Sequence, residues 1–211
     1  MTRIAIHTVA AVALAAVVTA AAPKFTSTWK ALDAGGVSFA GKKVAALIMS
    51  DDESLRVSGE EALVREMAAI GVTGGVASYR IIPREELRDP DKAQGWYARA
   101  GVDGLVAMRL VKADTRKTWT PSMWSSPSYS TLSGHYGYGW SSVYVFDPGQ
   151  TRVDQVVVVE TLVFSVPEDK LLWAAVTESI NPKDANRVIE DIVAETVKEM
   201  TKQGLIRKAA K

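Results

Sequence analysis

"TRVDQVVVVETLVFSVPEDKLLWAAVTES" (residues 151–179) decides how the chain is read. Its first half, through Val166, is a long β-branched run with strand preference. Pro167-Glu168-Asp169-Lys170 then forms a tight polar turn, and Leu171–Ser179 returns as an apolar partner strand, so the stretch reads as a β-hairpin. Beyond it, Asn181 followed by Pro182 predicts the start of a final helix. Ala185, Val188, Ile189, Ile192, Val193, Val197 and Met200 give that helix one apolar stripe, and Gly204 stops it.

Upstream of the hairpin, strands and helices alternate. "KKVAALIMS" (42–50) is a short apolar run and predicts a buried strand. Ser58 and Glu61 have the spacing of a capping box and predict a helix start, with Ala62, Leu63, Met67 and Ile70 on one face and Gly71 at the end. "GVASYRIIP" (75–83) predicts a second strand. Asp89-Pro90 opens a short helix carrying Ala93, Trp96, Tyr97 and Ala100, and "VDGLVAMRLVKA" (102–113) is a third strand.

The resulting order is βαβαβ, an insertion, then ββα. It predicts an α+β fold: a mixed β-sheet of about five strands, with three helices packed mainly on one face. We expect residues 22–42 to form an irregular N-terminal arm and residues 43–205 a single domain. The aromatic, Gly/Ser-rich insertion spans 118–150, and 206–211 form a basic tail.

The first 21 residues bear on compartment. Arg3, the apolar run Val9–Val18 and the small residues after it have the form of a cleaved secretory signal peptide, with cleavage after Ala20 or Ala21. An uncleaved anchor is the competing reading, but Ile4–Ala22 is rich in Ala and interrupted by His7, Thr8 and Thr19. Either reading takes the body of the protein out of the cytoplasm, to a periplasmic or envelope location. Loss of residues 1–21 removes Arg3 and no acid, turning a net charge of +1 into zero. A balanced chain has no basic excess for phosphate backbones, so no nucleic-acid partner is expected.

The chain contains no Cys. That excludes disulfides, thiol nucleophiles, zinc–thiolate sites and a lipid-carrying Cys, so the expected protein is exported but not lipidated. Gly36 and Gly41-Lys42 imitate phosphate-loop spacing, but Lys43 follows where Ser or Thr should hold magnesium, and the glycines precede a strand. No nucleotide or other cofactor is expected. Serine hydrolase chemistry lacks its G-x-S-x-G elbow, and His135, in a Gly/Tyr context, reads as an exposed loop histidine. "PREELRDPDK" (83–92) reads as a solvated helix face.

Two stretches remain as candidate sites. In "SDDE" (50–53), Asp51, Asp52 and Glu53 offer oxygen ligands for calcium or magnesium, or acid–base chemistry, at a strand end. The plainer reading is a turn in which Asp51 or Asp52 bonds its own backbone. The second stretch, residues 118–146, holds eight aromatic residues, half of the chain's total, and no Asp, Glu, Lys or Arg. It reads as disordered, as packed on its own domain, or as a recognition surface. Trp119, Trp124, Tyr129, Tyr136, Tyr138, Trp140 and Tyr144 would present rigid contact area to a protein, a glycan or a membrane interface. A non-enzymatic envelope protein binding through this insertion is the preferred reading. A metal- or small-ligand-binding protein or hydrolase using residues 51–53 is the alternative.

"ETLVFSVPEDKLLWAAVTES" (160–179) also resembles the signature of a family of bacterial exported proteins and lipoproteins of unknown function, a "tLvidv" strand followed by "kLvWrG". Thr161, Leu162 and Val163 match its first half, and Lys170, Leu171 and Trp173 its second. Ala174 and Ala175 stand where Arg-Gly is usual. The resemblance implies the fold and an envelope location. The strand–helix order is also similar to the amino-terminal domain of the Tol–Pal propeller protein, an analogy of fold alone.

Overall fold

The computed structural model describes residues 22–34, 38–112, 130–140, 156–180 and 184–206. The strands are β1 (Lys24–Lys30), β2 (Lys43–Met49), β3 (Gly74–Ala77), β4 (Gly104–Lys112), β5 (Val156–Ser165) and β6 (Lys170–Ile180). The helices are α1 (Glu53–Ala69), α2 (Pro90–Arg99), α3 (Leu132–Gly139) and α4 (Ala185–Lys202). The fold is α+β. Among the described residues the strands form a mixed sheet of order β1-β6-β5-β4-β2-β3, six strands where about five were expected.

The hairpin forms the antiparallel centre, β5 pairing with β6 on one side and with β4 on the other. Strand alternation sends side chains to two separate cores. Val44, Ala46 and Ile48 of β2 join Val106 and Met108 of β4 under α1 and α4. Ala45, Leu47 and Met49 join Leu105 and Ala107 on the opposite face, beneath α2 and α3. The helices therefore cover both faces, which corrects the one-faced expectation. An apolar stripe shows that a helix packs against something, whereas the face it reaches depends on its crossover.

Residues 24–30, expected in an irregular arm, are instead strand β1, antiparallel to β6. Phe25 meets Trp173 edge-on at 6.5 Å between ring centroids. Lys24, Thr26 and Thr28 of this edge strand are exposed and Ser27 is half-buried, so the polar residues that hid it in the sequence are compatible with it.

The second strand is shorter than expected. After Ala77 the chain tightens into a 3-10 turn, Ser78–Arg80, because the amide of Tyr79 donates to Glu60 at 2.8 Å instead of extending the ladder. Gly74 lies against backbone here, and a Cβ at that position would stand 2.5 Å from the Lys42 carbonyl oxygen.

Helix starts also moved. Asp52 caps α1, its Oδ1 accepting from the amide of Leu55 at 3.0 Å, so the helix begins before the Ser58–Glu61 box. Ser58 donates to the Leu55 carbonyl, and Glu61 accepts from the Tyr79 hydroxyl. At α4 the cap is Asp184, accepting from Arg187, while Asn181 and Pro182 lie outside the described residues. Several cap-forming side chains stood near each start, and packing selected among them. Asp89 and Pro90 open α2 as expected.

The insertion contributes α3 to the fold. Leu132, His135 and Tyr136 of this helix are buried. With Gly at 134, 137 and 139, its intrinsic helix preference is poor. Tertiary contacts supply the difference: Asp169, in the β5–β6 turn, accepts from the Leu132 amide at 2.8 Å, and Thr131 accepts from that of Gly134. The acidic turn of the hairpin thus anchors the insertion helix to the sheet.

Candidate recognition cleft

The three parallel strands create a crevice. β2 pairs parallel with both β3 and β4. From β2 the chain crosses through α1 to β3 on one side, then through α2 to β4 on the other. Helices leaving to opposite faces open a gap beyond the carboxyl end of the central strand, where open α/β sheets bind ligands. A cleft of about 440 Å³ lies there, lined by Ser50, Asp51 and Glu53 after β2, by Arg56 of α1, by Arg84–Arg88 apart from Glu86, and by Trp140. That volume falls within the range of small-ligand pockets.

The two stretches singled out in the sequence meet in this cleft. Asp52 is committed to capping α1, and its amide donates to Ser50 Oγ at 3.1 Å. Asp51 pairs with Arg88, and Glu53 with Arg84 at 2.6 Å. Among the described residues there is no group of three carboxylates or histidines able to hold a metal ion. Trp140, at the end of α3, lies under the Arg88 guanidinium, 5.3 Å from its ring centroid. In "PREELRDPDK" residues 84, 85, 88, 91 and 92 are exposed, as a solvated face requires, but only residues 90–92 are helical. Residues 84–88 form turns that aim Arg84 and Arg88 at the acidic cluster.

Arg56 is the feature that the sequence did not reveal. Its side chain is only 7% exposed, and its two carboxylate neighbours, Glu60 and Glu53, stand at 3.9 and 4.0 Å. Both distances exceed hydrogen-bonding length. Nη1 makes no hydrogen bond, and neither does the buried Nε1 of Trp140. An arginine inside a helix of mixed charge carries no sequence mark of burial.

Behind Arg56, fully buried Glu60 accepts from the amides of Ile48 (3.2 Å) and Tyr79 (2.8 Å). Burial lifts its carboxyl to about 7, against the downward pull of those two amides and of Arg56.

Tyr136 does not face outward. It is buried, and its hydroxyl lies 2.9 Å from that of Tyr97, which lies 2.8 Å from Ser78 Oγ. Burial raises both phenols well above their ordinary range. Tyr136 therefore ties α3 to α2. Trp119, Trp124, Tyr129 and Tyr144 lie outside the described residues, as does the side chain of Tyr138.

His135 is buried too, correcting the expectation of an exposed loop histidine, and its ring is 5.5 Å from that of Phe164. Burial first, and the charge of Arg109 second, lower its pKa to about 3. The fold accepts this ring neutral. Stability is therefore retained above the unfolded pKa of about 6.5 and is lost as pH falls toward 3. Relative to His135→Leu, the wild type is expected to lose about 3 kcal/mol between pH 7 and pH 4. Urea unfolding at the two pH values measures this, and parallel curves would refute it.

The class defined so far is a single-sheet α+β domain with a ligand-sized cleft at the end of its central parallel strand. No protein-family model matches the chain, and no curated protein matches it. Among solved structures it is similar to a PelC dodecamer from Paraburkholderia phytofirmans. For a leucine-to-methionine variant, the TM-score is 0.47 at 11% identity, over 89% of this chain and 98% of that one. For a second crystal form the values are 0.46, 12%, 88% and 98%. Likeness at this identity concerns fold alone.

Proposed function

We propose that this chain is an exported envelope protein, a member of the exported family whose signature its hairpin resembles, that recognises an envelope glycan without transforming it. The observation that carries the reading is the meeting of Trp140 with the Asp51–Glu53 segment in one cleft. An aromatic wall gives a sugar ring contact area. Arginine donors and carboxylate acceptors around it match hydroxyl groups, which both donate and accept. The export reading rests on residues 1–21. Among the described residues, no helix is long and apolar enough to cross a membrane.

Native electrophoresis in gels containing envelope polysaccharide tests the proposal. Wild-type protein is expected to be retarded, and Trp140→Ala to run at least tenfold closer to its mobility in a polysaccharide-free gel, with an unchanged melting temperature. Retardation that survives the substitution would place recognition elsewhere. Unretarded wild type would remove the glycan reading. Mass spectrometry of the exported protein should find its amino terminus at residue 21 or 22.

A further inference from the structure

Arg56 is a buried guanidinium with two long ion pairs and an Nη1 that no hydrogen bond satisfies. Such a group normally has hydrogen bonds to both edges of its planar fork. Here the side chain is 7% exposed, Nη1 makes no hydrogen bond, and the neighbouring carboxylates stand back at 3.9 and 4.0 Å. Trp140, on another wall of the same cleft, carries a second buried donor with no acceptor, its Nε1. Both orphaned groups are donors, so what they lack is an oxygen acceptor. The position adds to this demand, because Arg56 lies in the first turns of the 17-residue α1, whose amino end favours negative charge.

The remaining lining residues limit how much negative charge can enter. Arg84 and Arg88 are already paired with Glu53 and Asp51, and Glu85 adds a third acid to the rim. A doubly charged group would meet those three carboxylates at close range. A single planar carboxylate suits the Arg56 fork and adds only one charge. The exposed rim pairs are weak and can exchange partners with ligand hydroxyls.

We propose that Arg56 and Trp140 form a subsite for a sugar monocarboxylate, an acidic residue of the glycan, with the guanidinium holding the carboxylate and the indole contacting the ring. This rests on the recognition reading of the cleft and specifies its ligand. The test uses the full exported chain labelled with nitrogen-15, and Trp140→Phe identifies the Trp140 indole N–H resonance by its loss. Sodium glucuronate, glucose and inorganic phosphate are titrated separately at constant ionic strength.

Glucuronate is expected to shift the Trp140 signal with at least tenfold higher affinity than glucose or phosphate. Arg56→Lys, which keeps the charge and loses the fork, is expected to abolish that preference while the melting temperature stays within a few degrees. Equal responses to glucuronate and glucose would overturn the carboxylate subsite yet leave the glycan-binding cleft standing. So would a phosphate response that matches or exceeds glucuronate, or an undiminished preference in Arg56→Lys. If no probe moves Trp140 while polysaccharide still retards the wild type, the subsite is likewise overturned. If retardation fails as well, the recognition reading falls with it.

Discussion

Glu60→Ala is expected to destabilise the fold by about 3–5 kcal/mol at pH 6, one of the two largest effects we predict. The carboxyl is wholly buried and accepts two backbone amides, Ile48 at the end of β2 and Tyr79 in the turn after β3. Truncation leaves both amides without an acceptor, each costing about 1–3 kcal/mol, and leaves Arg56 with one distant carboxylate. Chemical denaturation measures the loss, and a value under about 1 kcal/mol would show that water replaces the carboxyl.

The same residue gives a pH dependence of definite sign. Its folded pKa of about 7 lies above the unfolded 4.5, so the native state holds the proton more tightly. Its contribution is complete below pH 4.5 and is lost as pH rises through 7. This slope opposes that of His135 between pH 4.5 and 6.5, so each must be read against its own variant. Glu60→Gln should remove a decline of about 2–3 kcal/mol between pH 5 and pH 8.

The second large effect concerns the cross-strand pair Arg109–Glu160 in the β4–β5 ladder, where Nη2 donates to Oε2 at 3.0 Å. Both side chains are almost fully buried, at 3% and 0% exposure. Arg109→Met alone removes a charged partner of the buried Glu160 carboxylate and should cost about 3–5 kcal/mol. Adding Glu160→Leu should recover most of that loss, because a well-packed apolar pair avoids the desolvation of two charges. Urea midpoints of the two single variants and the double variant test this. A double variant no more stable than Arg109→Met would mean that the pair is held by more than mutual compensation. Arg109→Met should also raise the His135 pKa, since the arginine's charge helps hold it down.

The sheet centre was legible because its signals are local. The β-branched run of β5, the polar turn and the Leu171–Ser179 return needed only strand preference and turn chemistry, and Asp89-Pro90 marked α2 just as directly. The site was less legible. The Asp51–Glu53 segment and the aromatic insertion drew attention by composition, but composition gave no sign that Trp140 would leave Tyr136 in the core and face the acids itself. Arg84 and Arg88 read as ordinary surface charge, and Arg56 carried no signal of its own. Arg56 lies on α1, while Arg84 and Arg88 follow β3, and only the crossovers on opposite faces of the sheet bring them together.

Local periodicity, cap chemistry and the order of elements were sufficient to determine the α+β class and most of the strands and helices, since these depend on neighbours a few residues apart, and the lack of Cys by itself excluded thiol chemistry. Tertiary structure alone decided which face each helix covers, that residues 24–30 complete the sheet edge, that His135 is buried neutral, and that a cleft opens at the end of β2. Those outcomes depend on burial and charge pairing between residues distant in the chain. The energy of a guanidinium or an imidazole is set by the groups that fold around it.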